Sequence, residues 1–323
     1  MKRIVLSFAF AASFTGAAAD ERRLTNAVNV RLRSSSSTDA PITAELPLGT
    51  ELVVLGQTNA AQPWYHVKTD DGRDGWVLGS LTTSIDPDHK EKTIEAIVEA
   101  RLRRDGSFSD AVQLFELIER TAAGLRDPET QARFALHRMR AMSTVFGSVP
   151  DGITDRGVDS RDPRAEPYGN WIRAHLDEAR YDEPGGGWIV DPGDARAVHD
   201  KHRQSDAADE MAWFYVTDGQ LGECEGNVPC YVARQFQRRG WYLTEHPRGR
   251  HVDEATANIA QGLNGALDNL LRFPAVLAQF DPKTGCGELH ASLDPLTAAV
   301  TASTSTKRAE ALVALGRFAQ LCK

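Results

Sequence analysis

The 323-residue chain has no excess of basic charge. Its 37 Lys and Arg stand against 45 Asp and Glu, a formal charge of −8. Such a surface repels phosphate backbones, which excludes nucleic acid as a natural partner, and anionic membrane surfaces are excluded on the same ground. Beyond the first twenty residues no stretch reaches the roughly 18 unbroken apolar residues that a spanning helix requires. Cysteine is scarce, four in all, and no C-x-x-C pair occurs, so a structural zinc site is not expected. Pro184-Gly185-Gly186-Gly187-Trp188 is glycine-rich but lacks the Lys-Ser/Thr of a P-loop and reads as a turn. Ser303-Thr304-Ser305-Thr306-Lys307 misses S-x-x-K, because Thr304 stands three before Lys307; it reads as the capped start of the last helix. No period of about 34 residues repeats along the chain. No metal and no cofactor is expected.

What is present begins at the N-terminus. Lys2 and Arg3 precede an apolar run, Ile4 to Gly16, broken only by Ser and Thr, and Ala17-Ala18-Ala19 offers an A-x-A cleavage pattern before Asp20. Residues 1–19 are therefore expected to be a secretory signal peptide cut after Ala19, and the mature chain to be periplasmic or secreted. Loss of Lys2 and Arg3 would take the charge from −8 to −10. No Cys follows the apolar run, which disfavours a lipid anchor. The four cysteines, Cys224, Cys230, Cys286 and Cys322, are an even number for an oxidising compartment and predict two disulfides. Three connectivities are open. Cys224–Cys230 is favoured, because "CEGNVPC" contains Gly226 and Pro229 and can close a small loop; Cys286–Cys322 would then pin the C-terminal helix.

Residues 24–84 read as a small β module. Trp64, His66 and Lys68 alternate with Tyr65 and Val67, Asp70-Asp71-Gly72 supplies turn chemistry, and Gly75 to Leu78 starts a return strand. Ala27 to Arg33, Ile42 to Leu46 and Glu51 to Gly56 give three more, for five short strands in about sixty residues, the signature of a small barrel. "VNVRLRSSSSTDAPITAELPLGTELVVLG" followed by "WYHVKTDDGRDGWVLGSLT" resembles the bacterial SH3-like domain family. The resemblance rests on Asn29-Val30-Arg31, Leu48-Gly49-Thr50, Trp64-Tyr65-x-Val67 and Gly75-Trp76-Val77. It implies a binding module for cell-wall peptide or another extracytoplasmic ligand. Many members carry Gly-Pro in the first loop, where this chain has Ser34-Ser35-Ser36-Ser37, so the ligand is left open. Trp64, Tyr65 and Trp76 are the candidate ligand contacts. Trp64 and Trp76 are expected in core or edge packing, with Val67 and Val77 in the core; Tyr65, opposite in parity to Trp64, is expected to be the exposed one.

From 88 to 323 the pattern turns helical, with possible subdomains at 88–147 and 168–323. Helices are expected over Lys90 to Arg104, Ser109 to Ala123, from Asp127-Pro128 onward, Tyr168 to Arg180, Ala195 to Val216, Asn264 to Gln279, Asp294 to Val300 and Thr306 to Leu321. "GWYLTEHPRGRHVDEATANI" resembles the junctions of tetratricopeptide-like helical repeats, which implies stacked helical hairpins; an ordinary helical domain fits the same residues. His199 and His202 share a helical face with only Asp206 as a further local ligand, and read as solvated. His246, His251 and His290 show no recognised metal spacing.

The expected architecture is multidomain α+β, an SH3-like β-barrel followed by a larger all-α domain. The expected function is that of an exported cell-envelope binding protein, with a peptidoglycan peptide or an envelope protein as partner and no catalysis. The alternative is a cell-wall hydrolase, a peptidase or amidase, with its site in the helical part.

Overall fold

The structure is a computed structural model, and it describes residues 21–86, 88–218 and 223–322. The expected signal peptide lies outside these residues. The chain divides at Ile97/Val98 into two compact units.

The first unit is a seven-stranded antiparallel sheet. Its strands are β1 (Arg22–Thr25), β2 (Val30–Arg33), β3 (Ile42–Leu46), β4 (Glu51–Gln57), β5 (Trp64–Thr69), β6 (Asp74–Leu78) and β7 (Thr82–Ser84), in the order β3-β2-β6-β5-β4-β1-β7. One face is apolar: Val30, Leu32, Leu46, Leu52, Tyr65, Val67 and Val77 pack into a single core. Period-2 alternation sends alternate residues of β2, β5 and β6 inward, which is why strands of four to six residues suffice there. Two strands escaped the sequence reading. β1 and β7 pair with each other, and β1 also pairs with β4. Their sequences, RRLT and TTS, are too short and polar to show alternation, and they form because Leu24, Thr25 and Thr82 find a buried place beside the core. The β5–β6 turn has its glycine at Gly72, with φ of +86°. Thr69 N–H donates to Arg73 O at 2.9 Å, and the Asp71 carboxylate accepts from Arg73 Nε at 3.0 Å.

The second unit follows the middle of α1 (Lys90–Leu102). α2 (Phe108–Ala122) opens with a capping box between Ser107 and Asp110, and α3 (Pro128–Gly147) with Asp127 as N-cap and Pro128 at its first position. α2 and α3 bury Leu114, Phe115, Ile118, Phe134, Met139 and Val145. The segment between α3 and Tyr168 contains a short helix, α4 (Asp155–Asp159). α5 runs only over Tyr168–Ala174, where Arg180 was the expected end. Arg180 belongs instead to β8 (Ala179–Asp182), which pairs with β9 (Gly187–Val190) around Gly185 and Gly186, so the helical part carries one hairpin. Tyr181, Trp188, Ile189 and Val190 suit strands better than a helix.

The expected helix from Ala195 to Val216 is two: α6 (Pro192–Lys201) and α7 (Ala208–Thr217). The run His202-Arg203-Gln204-Ser205 has no apolar residue to continue the stripe, and His202 N–H turns back to His199 O. α8 (Val228–Gln235) continues through a π-turn at Phe236–Gly240 into α9 (Trp241–Glu245). Gly240 sits there because a Cβ would press on Leu296 Cδ1 and Phe236 Cδ2, each at 2.9 Å. α10 (Val252–Arg272), α11 (Pro274–Leu277), α12 (Pro282–Ala302) and α13 (Arg308–Ala319) complete the chain. α12 extends well beyond Asp294 to Val300 and carries Pro295 inside it. Leu263, Leu267, Leu289, Leu293, Leu296, Leu315 and Phe318 are buried among α10, α12 and α13. Cys224 is joined to Cys230 and Cys286 to Cys322, with Cα separations of 5.5 and 5.8 Å.

Candidate functional site

On the sheet, the face turned away from the core carries Trp64, His66 and Trp76. β5 and β6 pair with Trp64 opposite Leu78, His66 opposite Trp76 and Lys68 opposite Asp74. These six side chains therefore share one face, and all are partly or fully exposed. His66 stacks on Trp76 with ring centroids 5.0 Å apart and planes 24° from parallel. The His66 Nε2 stands 3.0 Å from Asp74 Oδ1, which fixes the ring edge and so the stack. Across the other side of β5, Gly56 lies opposite His66, and the space where its side chain would be is open. Leu55 falls at the β4 irregularity between Val54 and Gly56 and is 51 % exposed. Trp64 is held by its backbone, which donates to Thr58 Oγ1 at 2.9 Å and accepts from Thr58 N–H at 2.9 Å.

The serine loop borders this face. Arg33 lies opposite Trp76 in the β2–β6 pairing. Its guanidinium donates to Ala40 O at 2.6 Å, and Ser34 N–H donates to Pro41 O at 3.0 Å, so both strands leaving the loop are tied. The result is a shallow aromatic surface with a cation, a carboxylate and a polar loop at its edge. It can stack on and hydrogen-bond an extended ligand.

Tyr65 is not part of it. It is 9 % exposed, lies in the core with Val67, and has the Arg23 guanidinium 4.2 Å over its ring. The expectation that Tyr65 is the exposed one has the parity reversed; Trp64 and Trp76 are half-buried on the outer face, which rules out core packing for them and leaves the edge packing that was the other expectation. The signal was available: Val67, two residues on, must share the face of Tyr65, and a valine in a six-residue strand marks the core side.

In the second unit the structure gathers residues that sequence spacing had left scattered. α7 carries Asp209, Glu210 and Trp213, and the turn from α9 to α10 carries His246 and His251. Tyr242 OH donates to Asp209 Oδ1 at 2.7 Å and accepts from His251 N–H at 3.0 Å. Burial, and after it the Asp209 carboxylate, push the Tyr242 phenol far above its ordinary value. Gly249 is required in this turn because a Cβ would collide with Asp209 Oδ1 and Tyr242 OH. His251 stacks on Trp213, with centroids 4.6 Å apart and planes 3° from parallel, and its Nε2 stands 3.0 Å from Glu210 Oε1.

Asp209, Glu210 and His251 bring one ligand atom each to within 4.8 Å of one another, near enough to hold a metal ion. The charge there is already balanced. Arg140 Nη2 reaches Glu210 Oε2 at 2.7 Å, Arg250 Nη1 reaches Glu210 Oε1 at 3.7 Å, and Arg250 N–H donates to Asp209 Oδ2 at 2.9 Å. Two guanidinium groups supply the positive charge that a metal would bring, so the arrangement ties α7 to the turn. His199 and His202 are not the solvated pair expected: His199 is fully buried, and His202 ends α6 with its imidazole pushed down by burial. Asp206 offers its N–H to Glu129 Oε2 at 3.1 Å, and His290 pairs with Asp294 at 3.2 Å on α12.

The family model for the bacterial SH3 domain matches residues 27–83. That segment contains β2 to β6 and the aromatic face. No curated protein and no solved structure matches the chain.

Proposed function

We propose that the protein is an exported binding protein of the cell envelope, whose SH3-like module recognises a wall peptide or a protein segment on the face formed by Trp64, His66 and Trp76. The observation that carries this reading is the His66–Trp76 stack on the solvent side of a matched bacterial SH3 domain. Aromatic side chains that the core does not need, fixed by a carboxylate and set beside an open glycine position, suit capture of an extended chain. Export is supported by the order of features in the first twenty residues and by two disulfides. The helical part, 88–323 in this reading, serves as the scaffold that engages a partner.

Co-sedimentation with purified peptidoglycan tests this, with soluble fragments assayed in the same tube. Binding without release of fragments is the expected result. Release of fragments would favour a cell-wall hydrolase and direct attention to His199, His202, His246 and His251. Neither binding nor release would refute the wall ligand and leave a protein segment for the same face.

A further inference from the structure

Two imidazoles join α6 to the turn after α9. His199 Nε2 and His246 Nε2 stand 2.9 Å apart, with rings 82° from parallel. His199 is 0 % exposed, and Trp241 meets it edge-on with centroids 5.0 Å apart. The other nitrogen of His199, Nδ1, is 3.1 Å from Asp200 Oδ1. An ionised carboxylate only accepts, so His199 carries its hydrogen on Nδ1 and presents a lone pair at Nε2. His246 Nε2 must then be the donor. His246 Nδ1 faces Asp209 Oδ1 at 3.9 Å, too far for a hydrogen bond, which leaves it able to take a proton without disturbing the contact.

The contact therefore tolerates two neutral rings, or one added proton on His246. It does not tolerate two. A hydrogen on both Nε2 atoms would set two donors head to head at 2.9 Å, in a place from which water is excluded on the His199 side.

The charged and titratable groups around the pair come from every element packed on it. Asp200 is on α6, Asp209 on α7, and Tyr242 and Glu245 on α9, with Arg203 from the loop after α6 paired to Glu245. Burial pushes the His246 imidazole below its ordinary value, opposed by Asp209 and Glu245 and assisted by His199 and Arg203. The same turn is pinned on its far side by Thr304 N–H, which donates to Pro247 O at 2.9 Å.

We propose that His199 and His246 form a one-proton latch, which holds α6 to the turn after α9 near neutral pH and releases it when both imidazoles are protonated. The open form binds at least one more proton than the closed form. Closure is therefore complete above the ordinary imidazole range, near 6.5, and is lost progressively as pH falls below it. The His199 proton alone, taken up with that midpoint, raises the opening constant about 30-fold between pH 7.5 and 5.0, and the lowering of His246 in the closed form adds to this.

Hydrogen exchange on the intact chain reads this directly. Rates are corrected for the intrinsic pH dependence of exchange, and the amides of 197–203 and 244–251 are compared with those of α2. The latch predicts an increase of at least about 30-fold on acidification, confined to the two latch segments. His246→Phe removes the donor, so exchange in these segments should already be raised at pH 7.5 and should gain less at pH 5.0 than in the wild type, because His199 alone then links opening to protons. As a second readout that needs no variant, imidazole nitrogen shifts of the wild-type protein at pH 7.5 should show an acceptor-type Nε2 on His199 and a donor-type Nε2 on His246. An increment absent from the wild type, equal in α2, or fully retained in His246→Phe would overturn the latch.

Discussion

Removal of the Cys286–Cys322 disulfide should be the most costly change to covalent structure that the helical unit can suffer. The bond links α12 to the turn after α13 and spans 36 residues, against 6 for Cys224–Cys230. In the chain-entropy description, a closed loop of that length withdraws about 4 kcal/mol of freedom from the unfolded chain, and the short loop about 2 kcal/mol. The segment it closes contains the α12–α13 packing, with Leu289, Leu293, Leu296, Leu315 and Phe318 buried. For a unit of this size each kcal/mol lowers Tm by roughly 2–4 °C, so Cys286→Ser with Cys322→Ser should melt roughly 8–16 °C lower. Cys224→Ser with Cys230→Ser should lose about half of that. Thermal unfolding followed by far-ultraviolet circular dichroism measures both, with alkylation mass used to verify that the remaining pair is oxidised. A larger loss from the short loop, or free thiols at 286 and 322 in the wild type, would refute the reasoning.

Truncations on β5 should separate its two faces. Tyr65→Ala empties a core position and should cost about 3 kcal/mol of stability, whereas Trp64→Ala should cost less than about 1 kcal/mol; chemical denaturation of residues 21–86 with the remainder of the chain present measures each, and equal costs would contradict the assigned parity. In the β5–β6 turn the Arg73 guanidinium, followed by the Thr69 hydroxyl, holds the exposed Asp71 carboxyl at about 2, below its usual 3.8. The support that Asp71 gives the turn is thus present above pH 3.8 and is lost as pH falls through about 2. A carboxyl carbon titration should show that low midpoint and its return toward 3.8 in Arg73→Ala; an unshifted wild-type midpoint would remove the interaction.

How much of this was legible beforehand follows from the physics of each element. The β5–β6 hairpin was readable because alternation, the Asp-Asp-Gly turn and the returning Gly-Trp-Val lie within fifteen residues. The start of α3 was readable because Asp127-Pro128 is local cap chemistry. β1 and β7 were not, because they owe their existence to partners sixty residues away. The α6–α7 break was hidden by a helix-compatible composition, and the β8–β9 hairpin by an apolar spacing that suited a helix for its first turns. The candidate surface was legible as residues but not as a face, since strand alternation alone names two faces without saying which is buried; Val67 resolves that once it is taken with Tyr65. The histidine gathering was illegible for a different reason. His199, His246 and His251 come from α6 and the α9–α10 turn, and they are united by a direct His199–His246 contact and by contacts through Asp209, Glu210 and Tyr242, which no sequence interval reveals.

The most direct test of the binding account compares peptidoglycan binding by the wild-type chain and by Trp76→Ala, which deletes the stack on His66 and leaves the core side of β6 untouched. If the aromatic face carries recognition, the variant should remain folded and bind at least about tenfold more weakly, the loss expected when one anchoring aromatic is truncated. A folded variant with unchanged affinity would contradict the account, because the only stacked aromatic pair found on this face among the described residues would then be irrelevant to the ligand.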